Sequence, residues 1–287
     1  MQTLYSDELQ LDAYEVSPER GFLPADDPLP YLEDPYYAPW EQIAGDLPKL
    51  LVARRLRQVV EATPRLSAER LQTDRERRRA MLLLSYIGHA YVWNGDAPAE
   101  RIPANLAVPW YELSQQLGRP PVLSYASYAL DNWRRLDPNA PIELGNIVLL
   151  QNFLAGLDEE WFILIHVDIE AKAARAIRQI PTAIRAAESG DLPTLTDALR
   201  EVAAALEAMY AVLHGCPKRA TRTSTTIVCA PTFTAGRTIQ RCPTAWCTKA
   251  WRLMAVSPSS FVARRAHKAA SSPHWTACWA FSTLTTR

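Results

Sequence analysis

Phe162 and His166 stand four residues apart in the run DEEWFILIHVDIEAKAARAI, so on a helix they share one face. An imidazole titrates near neutral pH and can donate or accept a hydrogen bond, so a histidine here can act as acid, base or polar contact. Glu170 lies one further turn along the same face, where it either orients the imidazole or makes an ion pair with solvent around it. Taken alone, a histidine among WFILI is ordinarily a satisfied core group, and an aromatic at helical spacing is ordinarily core packing. His89, in HAYVW on an apolar helix, reads as structural. The chain has no Gly-rich phosphate loop, H-E-x-x-H, G-x-S-x-G or C-x-x-C, which removes the commonest phosphate, zinc-protease, serine-hydrolase and dithiol chemistries.

Helices must position these groups. Residues 1 to 40 are Pro-rich and read as a chain of turns. A helix is expected after Pro48, with Leu51, Leu56, Val59 and Val60 inward. Thr73 and Glu76 form a capping box ahead of a strong helix whose apolar stripe is Ala80, Leu83, Leu84, Ile87 and Tyr91. Pro103, Pro109, Pro120 and Pro121 leave a short helix at about 110–117, and another is expected at about 122–134. The helix bearing Phe162 and His166 takes Asp158 as its N-cap and runs to about Ile180, where Pro181 ends or kinks it; from Trp161 to Val167 it should be deeply buried. A last helix, about 194–214, carries Leu195, Leu199, Val202, Leu206, Met209 and Leu213 in register. Strands are scarce, and the fold class is mainly α.

Charge divides the chain. The first 215 residues carry 31 acidic and 20 basic side chains; the last 72 carry 11 basic, none acidic, and all five cysteines. The tail's basic groups are scattered, which argues against a nucleic-acid surface, and its cysteines lack paired metal spacing. No run of about 18 uncharged apolar residues exists, and the acidic N-terminus has no apolar signal core. A cytoplasmic protein without a membrane span is expected.

The order of segments is more specific than any one motif. RGFLPADDPLPYL (Arg20–Leu32), WEQIAGDLPKLL (Trp40–Leu51), HAYVW (His89–Trp93), AVPWYELSQQLGRPPVLSYASYALDNW (Ala107–Trp133) and the Asp158–Ile177 run together resemble the indoleamine 2,3-dioxygenase family over about residues 18–215. The resemblance implies a helical fold with a smaller N-terminal domain at 1–145 and the start of a large haem domain at 146–215, the rest of that domain being missing or scrambled. It implies haem b as cofactor, tryptophan or another indoleamine with O₂ as substrates, and N-formylkynurenine as product. Phe162 matches the aromatic that packs on the substrate ring, and Tyr125 another pocket-lining aromatic. His166 replaces a Ser of animal members, as the distal catalytic-site group, and Tyr128 stands where some relatives have Cys. A different class of reading is a non-catalytic helical remnant or binding module without iron-ligated haem.

Beyond about residue 215 the resemblance stops. Family members continue with a segment like D-P-Y-V-Y-Y-N-R-V-R-P-Y-I-H-G-W, then V-Y-E-G, then G-A-Q-S-S-I, before a helix bearing the proximal His. A reading frame displaced by one base permits the first run across Ala220–Gly236. It also permits V-Y-E-G across Trp246–Ala250, and G-A-Q-S-S-I across Arg265–Ser271. Residues 216–287 are therefore read as an aberrant basic tail, frameshifted and without stable structure, and the metal ligand is left unassigned. His214, His267 and His274 follow the Phe162 helix, but none has the family's proximal context.

Overall fold

The computed structural model describes residues 10–215, and the expected tail at 216–287 lies outside them. Helices dominate. The N-terminal stretch is irregular until Pro35–Tyr37 leads into α1 (Ala38–Gly45), followed by α2 (Leu47–Val52) and α3 (Leu56–Ala62). The single helix expected after Pro48 is thus two. Arg54 takes a left-handed backbone, φ +53°, which a right-handed helix cannot continue through.

Helix α4 (Asp74–Trp93) begins at the expected capping box. The Thr73 hydroxyl accepts from the Glu76 N–H, and the Glu76 carboxylate accepts from the Thr73 N–H at 2.7 Å. Its stripe is buried as expected, but burial goes further, since every residue from Arg79 to Gly88 is buried. This all-round burial makes α4 the axis of the largest core cluster, which draws on Trp40, Leu47, Leu56, Val60, Trp110 and Leu113. The one charge at its heart, Arg79, is held by both oxygens of Glu41 (3.0 and 2.6 Å).

Helix α5 (Ala104–Leu117) starts a turn and a half before the expected 110–117 and carries Pro109 inside. The helix expected at 122–134 is replaced by a short π-helical turn, Ala126–Leu130, and then by strand β1 (Trp133–Arg135), paired antiparallel with β2 (Ile147–Leu149). Asn132 accounts for the change. Its amide donates to the Tyr128 and Gln151 carbonyls and its oxygen accepts the Gln151 N–H, so it binds the returning chain and stops a helix.

Helix α6 (Leu157–Ser189) has Gly156 as N-cap, two residues ahead of the expected Asp158. The acids suited to its positive end also cap the preceding loop: Glu159 accepts from the Phe153 and Leu154 N–H groups, and Glu160 from that of Leu149. Pro181 does not end α6. The helix continues to Gly190, whose left-handed φ of +72° terminates it. Within Trp161–Val167, only Ile163, Leu164, Ile165 and Val167 are buried; Trp161, Phe162 and His166 are partly exposed, because that face turns away from the Leu23–Trp133–Ile147 cluster which Leu164 and Val167 enter. Helix α7 (Leu192–Gly215) lies against α6. The face it buries is that of Ala198 and Ala205, flanked by half-buried Leu195, Val202 and Met209, while Leu199, Leu206 and Leu213 are exposed, so only half of the expected stripe faces inward. Small side chains let two long helices approach closely, and this displaces the leucines outward.

Candidate functional site

The π-helical turn and the first three turns of α6 bring four rings together. Phe162 and His166 have centroids 4.8 Å apart, as their four-residue spacing requires. Tyr125 and Tyr128, separated by one wide turn, meet edge to face at 5.3 Å and 87°. Both also present edges to the imidazole, Tyr125 at 6.1 Å and Tyr128 at 6.4 Å. The other three expected site residues therefore converge on His166. Tyr125 and Tyr128 are three residues apart at the start of a rare π-helical turn and face the same partner.

The imidazole state follows from its bonds. His166 Nδ1 lies 2.7 Å from the Phe162 carbonyl oxygen. A carbonyl only accepts, so Nδ1 carries the proton and Nε2 is left as an acceptor. Burial pushes the His166 pKa below its ordinary value, and the carbonyl bond only partly opposes that. The site thus presents a neutral ring with a lone pair at Nε2. Glu170, expected as an orienter of this histidine, instead accepts a hydrogen bond from Tyr125 Oη at 2.8 Å. Burial raises its carboxyl pKa, opposed by the tyrosine bond.

Sequence reasoning missed the supports. Asn132, fully buried, also donates to Tyr86 Oη (3.0 Å), so one amide links α4, the π turn and the segment after β2. Asp131 pairs with Arg119 at 2.6 Å. His89 is structural, as read: its Nε2 accepts the Leu123 N–H at 2.9 Å, two residues before Tyr125. Ser124 and Ser127 hold buried hydroxyls without a hydrogen-bond partner among the described residues. The signal for Asn132 was present as an Asx group inside a predicted helix, where it competes with the backbone. Nothing local marks Gln151 as its partner.

The arrangement suits a flat, largely apolar ligand with one N–H donor. Its rings offer apolar faces and the uncharged imidazole one acceptor; a carboxylate or thiolate cage for a bare metal ion is not found among the described residues. Nor is any helix among them long and apolar enough to cross a membrane.

Comparison with known proteins gives the context. The sequence profile of the indoleamine 2,3-dioxygenase family matches residues 10–223. Indoleamine 2,3-dioxygenase 1 of Rattus norvegicus is 44% identical over 200 residues, which is 69% of this chain and 48% of the relative. Indoleamine 2,3-dioxygenase 2 of Homo sapiens is 38% identical over 196 residues (68% and 48%). The indoleamine 2,3-dioxygenase of Saccharomyces cerevisiae is 34% identical over 214 residues (71% and 47%). The chain spans about half the length of the curated relatives it matches.

Proposed function

The chain belongs to the indoleamine 2,3-dioxygenase family, and from that premise we propose that its four-ring corner is the distal half of a haem site for opening the indole 2,3 bond of tryptophan, or of another indoleamine, with O₂. The observation that carries this reading is the convergence of Tyr125, Tyr128 and Phe162 on a neutral His166 with an acceptor at Nε2. Haem b, when bound, supplies the oxygen chemistry. Phe162, Tyr125 and Tyr128 wall the space over it and exclude water. Phe162 lies against the substrate ring, and His166 Nε2 accepts the indole N–H, which sets the orientation of the 2,3 edge. Tyr128, bulkier than the Cys of some relatives, narrows the space and favours the unsubstituted indole. We take residues 1–145 as the smaller domain, supported by the core cluster drawn from residues 32–123, and 146–215 as the start of the haem domain.

We further propose that the sequence from about residue 217 is an out-of-frame reading, so that this chain lacks the proximal His and is impaired. The family match ends at residue 223, close to the point where the displaced frame restores family motifs. The test compares haem titration and tryptophan turnover, under reducing conditions, in this chain and in a frame-restored version. The restored chain should bind one haem with a His-ligated ferrous spectrum and form N-formylkynurenine, and its His166→Ala variant should lose tryptophan affinity. Equal haem binding and equal turnover in both chains would refute the impairment, while a restored chain without turnover would refute the dioxygenase reading.

A further inference from the structure

We propose that Glu170 is a positioning residue, which sets the shape of the ring corner by gripping Tyr125 and does not itself touch the ligand. The inference rests on the corner being the substrate side of the site. Tyr125 and Glu170 are 45 residues apart in sequence and come from different elements, yet Tyr125 Oη donates to Glu170 Oε1 at 2.8 Å. Glu170 stands one turn beyond His166 on α6, so the same helix carries the polar contact and the clamp.

Retaining a carboxyl here is costly. Burial disfavours its charged form, and no lysine, arginine or histidine among the described residues lies within ion-pair distance of it. Other acids of α6 have evident employment: Glu159 and Glu160 cap loop amides, and Asp168 pairs with Lys172. The bond that Glu170 makes is to the phenol. Oη lies on the axis of the ring's own rotation, so a bond to it fixes the first side-chain torsion and the place of the ring tip, and leaves the ring plane to its neighbours. The Glu170 carboxylate therefore holds the Tyr125 ring at its place beside Tyr128 (5.3 Å) and His166 (6.1 Å). Without that anchor the ring can swing about its Cα–Cβ bond away from His166.

The test uses the full chain with ¹³C-labelled tyrosine and histidine rings, the Tyr125 signal being identified by its loss in Tyr125→Phe. In Glu170→Leu the Tyr125 signal should shift as the ring leaves its place beside His166, whereas Glu170→Gln, which keeps an oxygen acceptor at the same place, should restore it. Titration of the frame-restored, haem-loaded versions with indole should then show affinity about fivefold weaker in Glu170→Leu, the fold-change of one lost hydrogen bond, and within twofold of the parent in Glu170→Gln. Circular dichroism checks that each variant is folded. A Tyr125 signal that is indifferent to Glu170→Leu overturns the proposal, whatever the corner binds. A signal that moves as expected, with a frame-restored version that binds no indole, upholds the clamp and refutes the substrate assignment instead.

Discussion

His89 couples pH to the segment that carries the tyrosines. Its Nε2 accepts the Leu123 N–H at 2.9 Å, its ring packs edge-on to Trp110, and burial pushes its pKa down to about 4. Only the neutral ring can accept that bond. The folded-state pKa is depressed below the unfolded 6.5, so the stabilisation is fully present above about pH 6.5. It is lost as pH falls toward 4, because the unfolded chain takes up a proton that the folded chain refuses. The gap corresponds to about 3 kcal/mol at full expression, and about 2.5 kcal/mol of it is gone by pH 4.5.

His89→Gln separates the two contributions. A glutamine oxygen can accept the same N–H but does not titrate, so at pH 7.5 the variant should be weaker by about 1 kcal/mol, for imperfect geometry. At pH 4.5 it should be the more stable of the two. Urea unfolding followed by far-ultraviolet circular dichroism at pH 7.5, 6.0, 5.0 and 4.5 gives the difference directly, and taking that difference removes the carboxylates common to both proteins. Two stability curves that stay parallel across this range would refute the reasoning, since they would mean that His89 is protonated as readily folded as unfolded.

Three further perturbations follow from the packing around the site. A Cβ at Gly88 would fall 2.4 Å from Trp110 Cζ3, and Trp110 is held by its Nε1 bond to Ser85; Gly88→Ala should lower the thermal midpoint by roughly 5 °C, the overpacking outweighing the better helix propensity of alanine. Asn132→Ala removes a fully buried amide bonded to Tyr86, Tyr128 and Gln151, and should cost about 3 kcal/mol in urea unfolding while broadening the Tyr128 ring signal. Glu41→Leu strands the Arg79 guanidinium in the core and should cost about 3–5 kcal/mol; adding Arg79→Met should recover most of it, which a double-mutant cycle would reveal.

Much of the helical framework was legible because its signals are local. The Thr73–Glu76 box and the stripe from Ala80 to Tyr91 place α4 within a few residues, and each is a statement about neighbours on one turn. Where the reading went astray, a distant partner had decided the outcome. Pro181 is expected to end or kink α6; it does not end it, since the residue is buried and α6 runs eight residues past it, where packing along α7 offsets one missing hydrogen bond. Of the expected α7 stripe, Leu195, Val202 and Met209 are half-buried beside Ala198 and Ala205, while Leu199, Leu206 and Leu213 are exposed. Periodicity gives the spacing of a stripe, but it does not say which of two stripes meets the neighbour when both are apolar.

The site divides along the same line. Phe162 and His166 share a face by spacing alone, so their contact at 4.8 Å follows from the sequence once α6 is granted. Tyr125 and Tyr128 are matched by family resemblance, and their place depends on a segment that no propensity marks. Asn132 ties the end of that segment to Tyr128 and Gln151, and His89 accepts the Leu123 N–H ahead of it. Both controls are buried polar groups on elements that carry none of the site rings. Glu170 shows why such groups are hard to assign in advance: its helical position favours His166, but the tyrosine brought in by the π turn takes its carboxylate. Three polar residues behind the four rings thus tie down the segment that carries the tyrosines: Asn132 at its end, His89 ahead of it and Glu170 at the Tyr125 hydroxyl.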